Sequence, residues 1–319
     1  MQNENAGQSI NVNEEVKNSI LGAIPERITE LNDLWNIYAP NFFQLEDKTG
    51  FHMKGGAFGI VSFTNRTMLQ IWILGHAVQR SFVEYSGLFF YFLACIKNFD
   101  TSILEKKSNA SDINYLIQSA IRLKESENIN DVWPIGVPRP EDGRPKDESK
   151  NVYDMMAFDL NCMVAAFIFL HEVHHVQVRC PTCGIKYRDE WSEEHGCDEF
   201  AKNFFLDHVK EFSDEKEYPL DKLISKRAMC MGVAFFVFLI ITPEENKKGT
   251  TSHPPVSDRI LNITKTLNIP ENDPFWNYLS CLIFTKLNYE GVNITNFKVN
   301  SFKDMCNVFI SYLIKWERQ

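Results

Sequence analysis

Residues 151–178 limit the possible folds of this chain more than any other stretch. They include the apolar run of residues 162–170, which is followed directly by His171-Glu172-Val173-His174-His175. A segment of this length with so few charges predicts one long helix buried in a core. The remainder of the 319-residue chain must then pack around that helix.

The five residues that follow the apolar run have the pattern HExxH. On a helix, residues four positions apart share a face, so His171 and His175 can direct ring nitrogens at one point and hold a metal. A catalytic zinc usually has three protein ligands and leaves a fourth position to water. Glu172 lies beside that face, where it can act as a general base. The alternative is that both histidines are polar residues that close a buried helix.

Downstream acids supply a candidate third ligand. The segment Glu194-His195-Gly196-Cys197-Asp198 places two carboxylates four residues apart, on one face of a second helix. Glu194 can complete the metal site, and Asp198 can orient a ligand histidine by accepting the proton on its other ring nitrogen. Gly196 disfavours a helix by about 1 kcal/mol relative to Ala, but it lets another segment approach closely.

These two motifs together resemble the gluzincin metallopeptidases. In that family HExxH is followed by Glu-x-x-[Ala or Cys]-Asp-x-Phe-Ala, and the segment that begins at Glu194 is similar to it. The resemblance implies that His171, His175 and Glu194 bind one zinc ion per chain. It also implies that Glu172 is the general base and that Asp198 orients a ligand histidine.

A third segment strengthens the resemblance. Residues 252–260 read Ser-His-Pro-Pro-Val-Ser-Asp-Arg-Ile, which is similar to the HPPxxxRI segment of the CaaX-processing and HtpX-type membrane gluzincins. His253 could donate to the oxyanion of a tetrahedral intermediate, and Arg259 could anchor an active-site carboxylate or a substrate carbonyl. The alternative is that His-Pro-Pro only shapes a rigid turn before a helix.

A glycine-rich stretch precedes the apolar helices. Residues 54–65 combine three glycines with a β-branched and aromatic run, which predicts a strand. The longest unbroken apolar run, residues 228–241, has about 14 residues, whereas a membrane helix needs roughly 18–20. We therefore interpret this run as a buried helix or strand and expect no membrane span, with a membrane helix as the minor alternative.

The order of a strand, apolar helices and a central HExxH resembles the Lit-type phage-exclusion peptidases of bacteria. That resemblance implies a zinc endopeptidase acting on a host protein, elongation factor Tu, and triggered by a phage-derived activator. Specificity depends on surfaces that no motif reports, so the substrate is an expectation of the resemblance alone.

Charge and composition exclude several classes of protein. The formal net charge is -9 and the sequence pI is about 5.5, whereas a nucleic-acid partner requires clustered Lys and Arg. With 44% hydrophobic and 13% aromatic residues, the chain is typical of a globular protein. The first residues lack the basic and apolar regions of a secretory signal, so we expect a cytoplasmic protein without disulfides.

Residues 180–184 read Cys-Pro-Thr-Cys-Gly, which is half of a zinc knuckle. A structural zinc needs four ligands, and the sequence has no second CxxC, although His195 or Cys197 is available. We expect a turn with reduced cysteines, and a second metal or a redox-sensitive pair remain alternatives.

The predicted fold class is α+β, mainly helical and zincin-like, with a small sheet beside the HExxH helix. Residues 1–15 are polar and predict a disordered tail, and residues 16–319 predict a single metallopeptidase domain. The Pro-rich and charged residues 133–150 predict an irregular loop, which is also a candidate subdomain boundary.

The predicted activity is hydrolysis of a peptide bond in a cytoplasmic protein by metal-activated water, with the substrate extended beside the glycine-rich strand. The Lit-type resemblance implies a role in anti-phage defence. One alternative is a non-catalytic sensor in which zinc is a structural clip with four protein ligands. Another is a small-molecule metallohydrolase with a closed pocket. Ligand type alone does not separate zinc from cobalt or manganese.

Overall fold

A computed structural model describes residues 11–47, 51–141 and 152–319. These residues form thirteen α-helices and five short strands, so the predicted mainly helical α+β fold class is confirmed. The helices are α1 (Val12–Ala23), α2 (Ile28–Tyr38), α3 (Asn65–Tyr91), α4 (Thr101–Lys107), α5 (Ser111–Leu123), α6 (Ile129–Val132), α7 (Val152–Val178), α8 (Glu190–Leu206), α9 (Val209–Lys216), α10 (Leu220–Ile241), α11 (Val256–Thr266), α12 (Pro274–Tyr289) and α13 (Phe302–Arg318).

Three of the strands form one small sheet. The strands of the chain are β1 (Asn41–Leu45), β2 (Met53–Gly55), β3 (Ile60–Thr64), β4 (Asn98–Phe99) and β5 (Phe297–Lys298). β3 lies in the middle of the first sheet, parallel to β1 and antiparallel to β2. Among the described residues β2 pairs only with β3, so its other edge is free to meet a helix or a ligand. β4 and β5 pair with each other.

α7 is the predicted long helix, and it lies at the centre of the molecule. It packs against α1, α3, α8 and α10, and its middle, residues 163–170, is buried throughout. Apolar side chains therefore surround its whole circumference, as expected for a helix enclosed by other helices. The HExxH residues are in its last two turns, where the wall of helices opens toward β2 and α8.

Two helices are long and apolar enough to cross a membrane by length and composition. They are α10 and the part of α7 from Met155 to Val178. The apolar run of residues 228–241 is thus the second part of a 22-residue helix. In this fold 78% of the most apolar window of α7 and 72% of that of α10 are buried inside the protein. Burial of this extent is what core helices of a globular protein also show.

The ends of the predicted domain differ in detail from the structure. α1 begins at Val12, inside the segment 1–15 that the sequence predicts to be a tail, and residues 1–10 lie outside the described part. Residues 133–141 are irregular, as predicted, whereas residues 142–150 of the same loop are not among the described ones. The proposed subdomain boundary in this loop therefore remains a prediction.

A second group of helices closes the core on the side of α3 and α12. Phe89 of α3 packs edge to face on Phe284 of α12 and contacts Phe309 of α13. Its neighbour Phe90 is 59% exposed, so the aromatic run at residues 89–92 is only partly core, because a helix turns adjacent residues to different faces. α13 also packs against α11 and so joins this group to the helix that carries Arg259.

Candidate active site

α7 places His171 and His175 one turn apart on the side toward α8. Their ring centroids are 5.0 Å apart, and both side chains are buried. Nε2 of His171 lies 3.4 Å from Oε2 of Glu194, and Nε2 of His175 lies 3.2 Å from Oε1 of the same carboxylate. Two imidazole nitrogens and one carboxylate, contributed by two helices, therefore face a common point.

The start of α8 is set by a capping box. The Asp189 carboxylate accepts from the backbone N–H of Ser192 at 2.8 Å, and the Ser192 hydroxyl accepts from the backbone N–H of Asp189 at 3.0 Å. These bonds satisfy amide groups that the first turn of a helix leaves without partners. The helix that begins here then presents Glu194 and Asp198 to α7.

Gly196 allows a loop to approach α8 closely, as the sequence suggested. A Cβ atom at this position would lie 2.1 Å from the hydroxyl oxygen of Tyr187. That hydroxyl lies 2.8 Å from Nε2 of His174, whose Nδ1–H donates to Gln177 at 2.7 Å. His174 is thus fully engaged on the side of α7 away from the metal face, and burial lowers its pKa.

The second ring nitrogen of His171 is held by Asp198. Nδ1–H of His171 donates to Oδ1 of Asp198 at 3.0 Å, and Asp198 is fully buried. Arg259 of α11 forms a bidentate pair with the same carboxylate through Nε at 2.7 Å and Nη2 at 2.6 Å. Its Nη1 lies 3.5 Å from Glu194. Arg259 therefore anchors two carboxylates of the site, one of the two roles predicted for it.

His175 has a corresponding partner that the sequence analysis missed. Its Nδ1–H donates to Oε1 of Glu193 at 2.6 Å. Arg179 donates to this carboxylate at 2.9 Å and to the carbonyl oxygen of His175 at 3.2 Å. An acidic residue directly before the candidate ligand Glu194, and a basic residue four positions after His175, are the sequence features that would have indicated this pair.

The charges at the site perturb one another strongly. Burial lowers the pKa of His171, but the hydrogen bonds and charges of Asp198 and Glu194 outweigh this effect and raise it to about 10. Burial likewise raises the pKa of Glu194, but His171, His175 and Arg259 hold it far below its usual range. The site contains three buried carboxylates, those of Glu172, Glu194 and Asp198, and one buried arginine, Arg259. This excess of carboxylates suits a bound cation.

Cys197 belongs to the one potential metal-binding group found among the described residues. His171, His175 and Cys197 each offer one ligand atom, and these three atoms lie within 4.8 Å of one another. Sγ of Cys197 is 3.4 Å from Nδ1 of His175, the nitrogen already bonded to Glu193. Glu194 instead faces the Nε2 atoms of both histidines, and its buried Oε2 has no hydrogen-bond partner. His171, His175 and Glu194 therefore form a second candidate ligand set, in which the nitrogens that face the carboxylate are the Nε2 atoms.

β2 lies directly against the HExxH helix. The backbone N–H of Gly55 donates to Oε2 of Glu172. A Cβ atom at Gly55 would lie 2.5 Å from the backbone carbonyl oxygen of Glu172, so a glycine is needed for this close approach. The free edge of β2 and the end of α7 thereby form two walls of one cleft with a volume of about 640 Å³.

His253 lies in the loop on the opposite side of this cleft. Its Nε2 is 3.5 Å from Oε1 of Glu194, and its Nδ1 is 2.8 Å from Oγ of Ser252. The side chain is 60% exposed, unlike the buried ligand candidates. The structure thus brings together the seven residues that the sequence predicts for the catalytic site, namely His171, Glu172, His175, Glu194, Asp198, His253 and Arg259.

Comparison with protein families gives one match. The sequence matches the model of the family described as Peptidase U49 over residues 61–279, which is more than half of the chain. The chain belongs to the Peptidase U49 family. It is therefore a peptidase, and the matched residues include α7, α8 and α11. Comparison with curated proteins and with solved structures gives no match.

In this peptidase the CxxC pair forms a turn just after α7. The backbone N–H of Cys183 donates to the carbonyl oxygen of Cys180 at 3.1 Å, and Sγ of Cys183 is 3.6 Å from the hydroxyl group of Tyr38. Both cysteines are free thiols. Within the described part of the chain they belong to no group of potential metal ligands. The predicted turn is present, whereas the reduced state of the two cysteines stays a prediction.

Proposed function

We propose that this peptidase is a zinc-dependent endopeptidase of the gluzincin type. The observation that carries the proposal is the convergence of two Nε2 atoms, from His171 and His175, on the carboxylate of Glu194. Other acidic residues hold both Nδ1 atoms, so each imidazole presents a single nitrogen in a defined direction. A structural polar cluster would not require this arrangement.

The donor set fits zinc. Two imidazoles and one carboxylate are a common catalytic zinc set. Oε2 of Glu194 is buried and accepts no hydrogen bond, although His171 and Arg259 lie 3.4 and 3.5 Å away, so a cation bound there would satisfy it. When bound, zinc supplies Lewis acidity, which polarises a carbonyl group and lowers the pKa of water to about 7. Cobalt and manganese take similar ligands, so metal analysis must establish the identity of the ion.

Glu172 is the proposed general base. It is the HExxH carboxylate that lies at the cleft, and it is 9% exposed. In this role it accepts a proton from the attacking water and then donates a proton to the nitrogen of the leaving amine. The Gly55 N–H bond holds one carboxylate oxygen and so leaves the other for proton transfer.

His253 and Arg259 have different proposed roles. His253 is exposed to the cleft within 3.5 Å of Glu194, where it can donate a hydrogen bond to the developing oxyanion. Arg259 is buried and bound to Asp198 and Glu194. It therefore acts by positioning these carboxylates, and we assign it no contact with substrate.

The proposed substrate is an extended segment of a cytoplasmic protein that lies along β2. The free edge of this strand faces the cleft, and an added strand is a common way to bind an extended peptide. The resemblance to Lit-type peptidases makes elongation factor Tu the first substrate to test, with a phage-derived activator and a role in phage exclusion. These assignments and the cytoplasmic location form part of the proposal.

A second candidate function rests on Cys197. If its thiolate bound a metal together with both histidines and Glu194, the site would have four protein ligands and would serve as a structural clip in a non-catalytic sensor. Burial and the nearby carboxylates raise the pKa of Cys197 far above its usual range, which opposes this alternative. The variant Cys197→Ala separates the two functions.

The test combines metal content with cleavage by purified variants. We expect about one zinc per chain in the wild type, loss of zinc in His175→Ala, and retention of zinc with a decrease in turnover of about 100- to 10,000-fold in Glu172→Gln. Cys197→Ala should keep both zinc and turnover. Cleavage retained by Glu172→Gln would contradict the mechanism, and zinc lost from Cys197→Ala would favour the structural clip.

A further inference from the structure

The turn between β2 and β3 carries an unusual phenylalanine. Phe58 is 97% exposed, the highest value among the large hydrophobic side chains of the described residues. Its backbone is in the left-handed region, with φ 60° and ψ 25°. Bulky side chains rarely adopt this conformation, and an aromatic ring in water contributes nothing to the core. Both features disfavour Phe58 for folding, which points to a functional reason for it.

The backbone of this turn is anchored on both sides of Phe58. The N–H of Gly56 donates to the carbonyl oxygen of Ile60 at 2.8 Å. Gly59 has φ 73°, and a Cβ atom there would lie 3.1 Å from the carbonyl oxygen of Ala39. The turn therefore rests against the end of α2, and the backbone that carries the exposed Phe58 ring is held in place.

Three more exposed apolar side chains lie beside this turn. Ile60 is 39% exposed, Phe43 is 44% exposed and Ile37 is 67% exposed. Ile60 pairs with Asn41 in the sheet, so Phe43 is only two residues further along the neighbouring strand. Ile37 is in the last turn of α2, which the β2–β3 turn touches. We call these residues, together with Phe58, the outer strip.

Phe58 is the member of the outer strip closest in sequence to the strand that lines the active-site cleft, although no residue of the strip lines the cleft itself. β2 lines the cleft, and Gly55 is bonded to the candidate base Glu172. Phe58 follows Gly55 by three residues, so their Cα atoms are at most about 11 Å apart. A polypeptide that lies along β2 and continues beyond Gly55 can therefore reach Phe58 within a few residues of a scissile bond near Glu172.

We propose that Phe58 is a substrate-binding residue outside the catalytic machinery. It binds an apolar side chain of the protein substrate a few residues from the scissile bond, and Ile60 and Phe43 extend the contact. The inference rests on the proposed endopeptidase function and adds to it a preference for protein substrates with an apolar residue flanking the cleavage site. Because the backbone of this turn is already held in place, binding a partner through the Phe58 ring need not order the turn.

The test uses Phe58→Asn, because asparagine tolerates the left-handed conformation and lacks the ring. Ile135→Asn is the matched control, since Ile135 is also highly exposed, at 86%, and does not line the cleft. Phe58→Leu keeps an apolar side chain and should restore part of the effect. Each zinc-loaded protein is incubated with native proteins of a bacterial lysate and, separately, with short peptides prepared from the same lysate. New amino termini are quantified by mass spectrometry.

We expect Phe58→Asn to slow cleavage of the native proteins about tenfold or more. Its cleavage of peptides too short to reach the outer strip should change by less than about twofold, and its thermal midpoint should not fall, because the strained backbone is relieved. Ile135→Asn should match the wild type in both assays.

Three other outcomes overturn the proposal. Equal cleavage of native proteins by Phe58→Asn and wild type removes the substrate role and leaves the endopeptidase function intact. A lower thermal midpoint for Phe58→Asn shows that the ring packs on its own chain. If light scattering shows that the wild type is a dimer and that Phe58→Asn is a monomer, the outer strip is an interface between two copies of the chain. No cleavage of either substrate by the wild type, even when lysate of phage-infected bacteria is added as a source of activator, overturns the endopeptidase function itself.

Discussion

Each of the two candidate ligand histidines has both ring nitrogens facing a polar partner, but the groups that hold their Nδ1 atoms differ in burial. Asp198, which holds His171, is fully buried and paired with the buried Arg259. Glu193, which holds His175, has an 18% exposed side chain, and its partner Arg179 is 39% exposed. Water competes with the second support more than with the first, because screening weakens an exposed ion pair.

Removing the carboxylate of Glu193 should weaken metal binding without unfolding the protein. In Glu193→Gln the amide is a weaker acceptor for Nδ1–H of His175, so we expect zinc affinity to fall by roughly 10- to 100-fold. Competition with a chromophoric chelator measures this change. Glu190→Gln on the same helix should leave the affinity unchanged, and an equal loss in both variants would show that only the net charge of the cleft matters.

Removing the buried carboxylate of Asp198 should have a larger and different effect. Asp198→Asn leaves the buried guanidinium of Arg259 without its bidentate partner, and an uncompensated buried charge costs about 3–5 kcal/mol. We expect lower unfolding free energy in urea as well as weaker zinc binding. A variant with unchanged stability would show that Arg259 finds sufficient compensation in Glu194 alone.

At the scale of the elements, the contact between β2 and α7 determines whether the cleft exists. Gly55 meets the backbone of α7, which cannot move aside, whereas a Cβ atom at Gly56 would meet only the carbonyl oxygen of Ile60, at an ordinary 3.7 Å. The two adjacent glycines therefore have unequal importance, although the sequence presents them as equivalent.

We predict that Gly55→Ala displaces β2 from α7. The overpacking should cost about 1–3 kcal/mol of unfolding free energy and most of the activity, because the substrate edge and the Glu172 contact move together. Gly56→Ala should stay within about 0.5 kcal/mol of the wild type. Urea denaturation and a peptide-cleavage assay compare the two variants. Equal effects at both positions would rule out this explanation.

α11 receives its amino-terminal cap from α13. Pro255 offers no side-chain acceptor, and the buried carboxylate of Glu317 instead accepts from the N–H and the hydroxyl group of Ser257. Burial raises the pKa of Glu317 from its ordinary value of 4.5 to about 7, although the bonds to Ser257 oppose the shift. The carboxyl-terminal helix thereby holds the start of the helix that carries Arg259.

The raised pKa of Glu317 makes the unfolding free energy of the protein depend on pH. The folded protein keeps the proton of Glu317 up to about pH 7, whereas the unfolded chain releases it at a lower pH. The contribution of Glu317 to the unfolding free energy is therefore complete below the unfolded pKa and is lost as pH rises through the folded pKa. Between about pH 5 and about pH 8 the unfolding free energy of the wild type should fall by up to about 3 kcal/mol. Glu317→Gln, which lacks the carboxyl group, should not show this fall. Urea denaturation at both pH values measures it, with the exposed Glu245→Gln as control. An unchanged pH dependence in Glu317→Gln would contradict the assignment.

At the scale of the whole molecule, the site connects three parts of the fold. α7 supplies His171 and His175, α8 supplies Glu194, and α11 joins them through Arg259. A metal that binds the folded site and not the unfolded chain must stabilise the entire domain.

We therefore predict that chelation lowers the thermal midpoint of the peptidase. At a zinc concentration 100 times the dissociation constant, linkage gives about 2.7 kcal/mol, which corresponds to roughly 4 °C for a chain of 319 residues. Scanning fluorimetry with and without a chelator, followed by restoration with zinc, measures the shift. The midpoint of His175→Ala should not respond, and an equal response in this variant would place the metal elsewhere.

Local patterns were sufficient to identify the central helix and the residues of the candidate site. The apolar run at residues 162–170, the four-residue spacing of His171 and His175, and the same spacing of Glu194 and Asp198 are properties of consecutive residues, and a helix converts such spacing directly into a shared face. The glycine-rich strand signal was also local, although the structure divides residues 54–65 into β2, a turn and β3.

Only the tertiary structure decided what lies opposite each of these faces. The pairing of Glu193 with His175, the requirement for glycine at Gly55 and the cap that Glu317 provides for α11 each join residues far apart in the sequence or on separate elements. The exposure of Phe58 depends in the same way on the end of α2. A single sequence records spacing within an element, whereas contacts between elements follow from how the whole core packs.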